Sequence, residues 1–230
     1  MSAFFSKVVL AGVLALSAFV ANAADSKLAP PKITLIYPSP GGPVFDRVCP
    51  HIFKIPVEEK WILETVRRRD EFQATWEKDG PLFLKTAIEA GNRPFPYGEM
   101  QATLSVCGTW AMAMPLLINV RDYMSDSTAP YGHDLPILIF HELMHHYTMP
   151  VDAVSPLRKK YDAEPIDVKN HMHVLAFEKY VLTKLGRKIE LEKLDYYYRN
   201  QTTPSYKRAW EIVDTEGYQP LVDEVRNLVK

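Results

Sequence analysis

Cys49 and Cys107 are the only cysteines in 230 residues. A structural zinc site is usually closed by four side chains, often with cysteine among them, and these two lie far in sequence from the histidine motif described below. In an oxidising compartment the even count permits one disulfide; the other reading is two separate buried thiols. An excess of charge of one sign is also missing. The 27 basic and 28 acidic residues are interspersed, for a net charge of -1, and nothing in that pattern points to nucleic acid. Long apolar runs are absent apart from Val8 to Val20, and thirteen residues are short for a membrane span of about 20. No stop-transfer pattern follows it, and no cysteine adjoins Ala21-Asn22-Ala23 to carry a lipid. There is no internal repeat and no low-complexity tract.

What is present begins with that run. Lys7, the apolar stretch and Ala21-Asn22-Ala23 have the layout of a secretory signal peptide over residues 1–23. The expected product is exported, periplasmic or secreted, with no membrane attachment once the peptide is cleaved. Residues 24–230 are read as one domain.

Within that domain, Ile33 to Tyr37 reads as a strand closed by the Pro/Gly cluster at 38–42. Apolar residues at helical spacing predict a helix over 57–78, stopped by Asp79-Gly80, and a second over 81–90 ended by Gly91-Asn92. Met100 to Val106 and the stretch from Trp110 to Val120, interrupted by Pro115, are expected as a strand pair. Asp134 is placed to cap a helix that starts near Leu135 and stops before Pro150. Further helices are expected over 171–185 and through the C-terminal third. A small strand-containing N-terminal lobe followed by a mainly helical lobe gives an α+β expectation, with the helix of the chemical motif at their junction.

That motif is His141-Glu142-Leu143-Met144-His145. Residues four apart on a helix differ by about 40 degrees around the axis and one turn along it, so both imidazoles can reach one ion. Catalytic zinc needs three protein ligands and an open position, where it lowers the pKa of a coordinated water toward neutrality. Glu142, adjacent to His141, is suited to take that water's proton and return it to the leaving group.

The segment from Ile139 to Tyr147 resembles the active-site helix of the zincin metallopeptidases. No glycine and histidine follow His145 at the metzincin offsets, so the resemblance is to the gluzincins, which take a glutamate from a later helix. It implies Glu178, thirty-three residues after His145, as third ligand of one zinc per chain, and peptide bonds as substrate. Position 182 is Leu, where the commoner gluzincin pattern places an acidic residue that orients a histidine. The group holding a ligand imidazole is therefore open among Asp134, Asp152 and Asp167.

His171 and His173 are rivals for the third position. His171 and Glu178 lie about 10 Å apart along a helix axis, which leaves room for only one of them as ligand. His146 projects from the same side as Glu142 and is a candidate for lining the cleft. Tyr196, Tyr197, Tyr198 and Tyr206 are candidates for donating to an oxyanion. The strands near Met100 to Val106 or Leu116 to Val120 could bind an extended peptide by edge pairing. No second E-x-x-H accompanies the first, which excludes a di-iron bundle. The expectation is an exported zinc metallopeptidase acting on a peptide or protein substrate. The alternative is a non-catalytic exported binding or scaffold protein with a structural or vestigial metal site.

Overall fold

The computed structural model describes residues 28–38, 42–108, 110–127, 133–200 and 203–228. The signal peptide expected over residues 1–23 lies outside them. Among the described residues no helix is long and apolar enough to cross a membrane.

Three parallel strands form one sheet in the order β1 (Lys32–Ile36), β2 (Glu99–Ser105), β3 (Leu117–Asn119). In β1 the alternation is read directly from burial, with Ile33 and Leu35 inward and Lys32 and Thr34 outward. Its outer edge is closed by a side chain: Gln73 accepts from Leu35 N–H at 2.7 Å and donates to Ile33 C=O at 3.1 Å. β2 is the central strand, hydrogen-bonded on both sides, so it has no edge to offer a peptide. The expected strand from 110 to 120 shrinks to three residues, and Met112 pairs antiparallel with Leu117.

Helix α1 (Val44–Ile52) begins directly after Pro43. Cys49 and Cys107 are disulfide-bonded, joining α1 to the segment after β2. Beside them the buried carboxylate of Asp46 accepts from Tyr37 Oη at 2.9 Å, from Ser105 Oγ and from Val106 N–H at 3.2 Å.

Helix α2 (Glu59–Gly91) is one continuous helix where two were expected. Asp79-Gly80 does not stop it, and the reason is packing. A methyl group at Gly80 would lie 2.3 Å from the Trp76 ring, so the glycine makes room for a buried indole instead of ending the helix. The helix ends at Gly91, where Asn92 adopts a left-handed conformation at φ 49°.

Helix α3 (Leu135–Asp152) carries the motif and runs through Pro150, where it was expected to have stopped, to end two residues beyond that proline. A short α4 (Pro156–Lys160) leads to α5 (Ile166–Lys184), which starts five residues before the expected helix, so that His171 is helical. Helices α6 (Lys188–Arg199), α7 (Pro204–Glu216) and α8 (Tyr218–Leu228) complete the chain. Contacts pass from β1 to α2, from α2 to α3 and α5, and from α5 to α7 and α8. The architecture is α+β with helices predominating. A single cluster of buried apolar residues runs through it from Ile33 to Val225.

Gly80→Ala sets two effects against each other. Helix propensity alone favours alanine by about 1 kcal/mol, whereas crowding a packed core typically costs about 1–3 kcal/mol. The expected outcome is net destabilisation in urea unfolding; a more stable variant would show that Trp76 yields freely.

Candidate metal centre

Helix α3 is almost wholly buried, and its apolar faces dictate where its polar residues point. Phe140, Leu143, Met144 and Tyr147 pack inward, Phe140 edge-on to Phe83 of α2 and Tyr147 edge-on to Phe177 of α5. His141 and His145 share the remaining stripe, their ring centroids 5.1 Å apart.

His171, one turn into α5, meets them. Its ring lies 4.9 Å from His145 and 5.4 Å from His141, and one nitrogen of each imidazole falls within 4.8 Å of the others. Hydrogen bonds decide which nitrogens face the cluster. His171 Nδ1 is 2.6 Å from the Asp167 carbonyl, which can only accept, so Nδ1 carries the proton and Nε2 keeps a lone pair. His141 Nδ1 is 2.9 Å from Glu178 Oε1, while its Nε2 is buried with no hydrogen-bond partner.

A buried, unpartnered nitrogen is costly unless something outside the protein engages it. Three converging imidazoles are a donor set that a divalent ion satisfies. All three are held uncharged, the form that binds metal. Burial lowers His141 well below the ordinary histidine range, with His171 adding to it; burial and His141 bring His145 down to about 2; burial lowers His171.

Glu178 is placed differently from the resemblance-based expectation. Oε1 lies against His141 Nδ1, and Oε2 accepts from the Tyr198 hydroxyl at 2.8 Å. Both oxygens are engaged on the far side of the His141 ring, and Glu178 is not part of the three-histidine group. Only one of the two, His171, joins the histidine group, as the spacing along the helix implied, while Glu178 lies against His141 Nδ1.

Glu178 holds the His141 imidazole at Nδ1, and the Asp167 backbone carbonyl holds that of His171. Of the carboxylates considered for that task, Asp134 and Asp152 lie elsewhere, and Asp167 acts on His171 through its backbone carbonyl and its charge. Asp134 occupies the N-cap of α3 without a side-chain cap bond and pairs with Lys193 at 3.6 Å. Asp152 pairs with Arg158 at 3.2 Å.

Glu142 is buried beside His141, and no hydrogen bond holds its carboxylate among the described residues. Burial, with the charge of Glu178, raises it to about 8. Tyr206 of α7 sits with its ring 4.1 Å from His171. Burial and the charge of Glu142 raise its hydroxyl, which makes no hydrogen bond among the described residues.

The other candidates separate cleanly. Tyr196 is exposed, Tyr197 packs its ring on His133 at 4.5 Å, and Tyr198 is buried behind Glu178. His173 turns away to Glu224 at 2.9 Å, and His146 bonds the Ala113 carbonyl at 2.7 Å. His133, in the turn before α3, went unnoticed in the sequence. Its Nε2 is 2.9 Å from the Tyr198 hydroxyl, and no spacing rule connects a loop residue to a helix residue sixty-five positions later.

The purified protein is expected to take up one divalent ion per chain. His171→Ala should abolish that uptake in elemental mass spectrometry after dialysis, whereas Glu178→Ala should only weaken it, by about 10–100-fold in affinity. Uptake retained by His171→Ala and abolished by Glu178→Ala would reverse the two roles. Compared with models of known protein families, with curated proteins and with solved structures, the chain shows no match.

Proposed function

We propose that this chain is an exported zinc-dependent hydrolase, its metal held by His141, His145 and His171. The carrying observation is the convergence of three neutral imidazoles, one with an orphaned buried nitrogen, next to an unpaired carboxylate on the same helix. Zinc suits this donor set, and three ligands leave the fourth position that catalysis needs. Bound there, the ion supplies Lewis acidity toward a carbonyl and makes water a nucleophile at neutral pH.

The remaining work falls to side chains. Glu142 follows a ligand directly in the chain and has no competing partner, so it is free to accept a proton from attacking water and deliver it to the leaving group. Tyr206 brings an uncommitted hydroxyl beside His171 and is suited to donate to negative charge developing on the substrate. Glu178 orients His141 and takes no part in proton transfer. Buried walls on α3 and α5 keep solvent from competing for these contacts.

Peptide bonds are the proposed substrate through the resemblance of residues 139–147 to the zincin active-site helix. Two ligands one helical turn apart and the base between them match that pattern residue by residue. The third ligand departs from the gluzincin arrangement, since a histidine from the later helix replaces its glutamate. Export rests on the signal-peptide layout of residues 1–23.

Glu142→Gln keeps the ligand set and removes the base, so hydrolysis of a quenched fluorescent peptide library should fall about 10²–10⁴-fold with zinc content unchanged. Zinc lost along with activity would sink the role given to Glu142. Tyr206→Phe is expected to lower kcat by about 10²-fold and leave KM nearly unaltered. A rise in KM alone would make Tyr206 a substrate contact instead.

A further inference from the structure

The hydrogen bond from Glu178 to His141 is the inner link of a longer chain. The Tyr198 hydroxyl has one proton and gives it to Glu178 Oε2 at 2.8 Å. Its lone pair then faces His133 Nε2 at 2.9 Å, so that nitrogen must be the donor. The same hydroxyl lies 3.4 Å from His141 Nδ1, closing a compact group of four side chains. His133 is itself held by its neighbours: Tyr123 Oη donates to its carbonyl at 2.7 Å, and Tyr197 packs edge-on to its ring.

We infer that Tyr198 and His133 are positioning residues for the metal centre, acting through Glu178 to fix the orientation and tautomer of His141. This rests on the three-histidine site proposed above. A carboxylate can only accept, and its two contacts are the shortest that Tyr198 O–H and His141 Nδ1 make, so the polarity runs one way: His133 Nε2–H to Tyr198, Tyr198 O–H to Glu178, His141 Nδ1–H to Glu178. With Nδ1 committed as donor, Nε2 of His141 can only present a lone pair to the cluster. Remove the Tyr198 hydroxyl and Glu178 Oε2 is left buried and unpaired, free to turn toward His141 or away from it.

The chain also brings a distant element under the site. Helix α6, which supplies no candidate ligand, reaches His141 through Tyr198, and the turn before α3 reaches it through His133. Metal affinity therefore depends on how α6 docks, although α6 never touches the ion.

Tyr198→Phe is the sharpest test because it keeps the ring. The stack on Tyr206 at 6.0 Å and the contact with Trp210 at 5.0 Å survive, and only the hydroxyl goes. Zinc affinity measured by chelator competition on the full chain should weaken about tenfold, and the visible bands of the cobalt-loaded protein should shift. In a Glu178→Gln background the same substitution should have almost no further effect, because the residue through which it acts is already altered. His133→Ala, in a turn outside the helices, should weaken zinc binding in the same sense by about two- to tenfold and covers the case of a Tyr198 variant that fails to fold. Wild-type affinity in both variants, or an undiminished Tyr198 effect on top of Glu178→Gln, overturns the inference and leaves the metal site standing. A wild-type chain that takes up no zinc or cobalt overturns both.

Discussion

His141 is an imidazole buried in the middle of a packed helix, and both of its nitrogens must be provided for. Burial strips away water from each, and a ring nitrogen without a partner costs free energy comparable to a lost hydrogen bond. The protein provides for one side only, with Glu178 on Nδ1. Everything else in the site can be derived from the imbalance. The opposite nitrogen is left without a hydrogen-bond partner, His145 and His171 converge on that side of the ring, and Glu142 lies beside them with no partner of its own among the described residues.

The helix that carries this arrangement also forms part of the hydrophobic core. Phe140, Leu143 and Tyr147 fix the rotation of α3 against α2 and α5, so the direction of His141 and His145 follows from apolar packing. His171 and Glu178 belong to the same helix, α5, and are separated by two turns. That spacing lets one helix address both nitrogens of a single ring. His171 and the carboxylate that holds His141 thus move together, and the relative placement of α3 and α5 sets the geometry of the site.

How much of this was legible in the sequence depends on whether the signal was local. The pair His141 and His145 and the base Glu142 lie within five residues, and helical periodicity alone brings them together. The α+β order and the long amphipathic helix were likewise visible from spacing. The choice between Glu178 and His171 was not, because it turns on which side of His141 each approaches, a property of the packing between α3 and α5. The break expected at Asp79-Gly80 failed for a different reason: Gly80 lies one turn after Trp76 on the same helix, and that the glycine makes room for the indole shows only once the ring is seen to be buried. His133 and Tyr198 are joined only through folding, across sixty-five positions, and nothing local marks either one.

The clamp that Gln73 places on β1 bears on the solution behaviour of the molecule. A three-stranded sheet with a free parallel edge invites a neighbouring chain to add a strand, the usual start of aggregation. The carboxamide offers one donor and one acceptor in the same spacing as a backbone peptide, and it meets Ile33 and Leu35 as a fourth strand would. Because Gln73 rides on α2, this substitute strand is delivered by the same helix that buttresses α3, and the sheet is closed to growth on that side once the helix docks. Solubility and assembly of the core are in this way a single event.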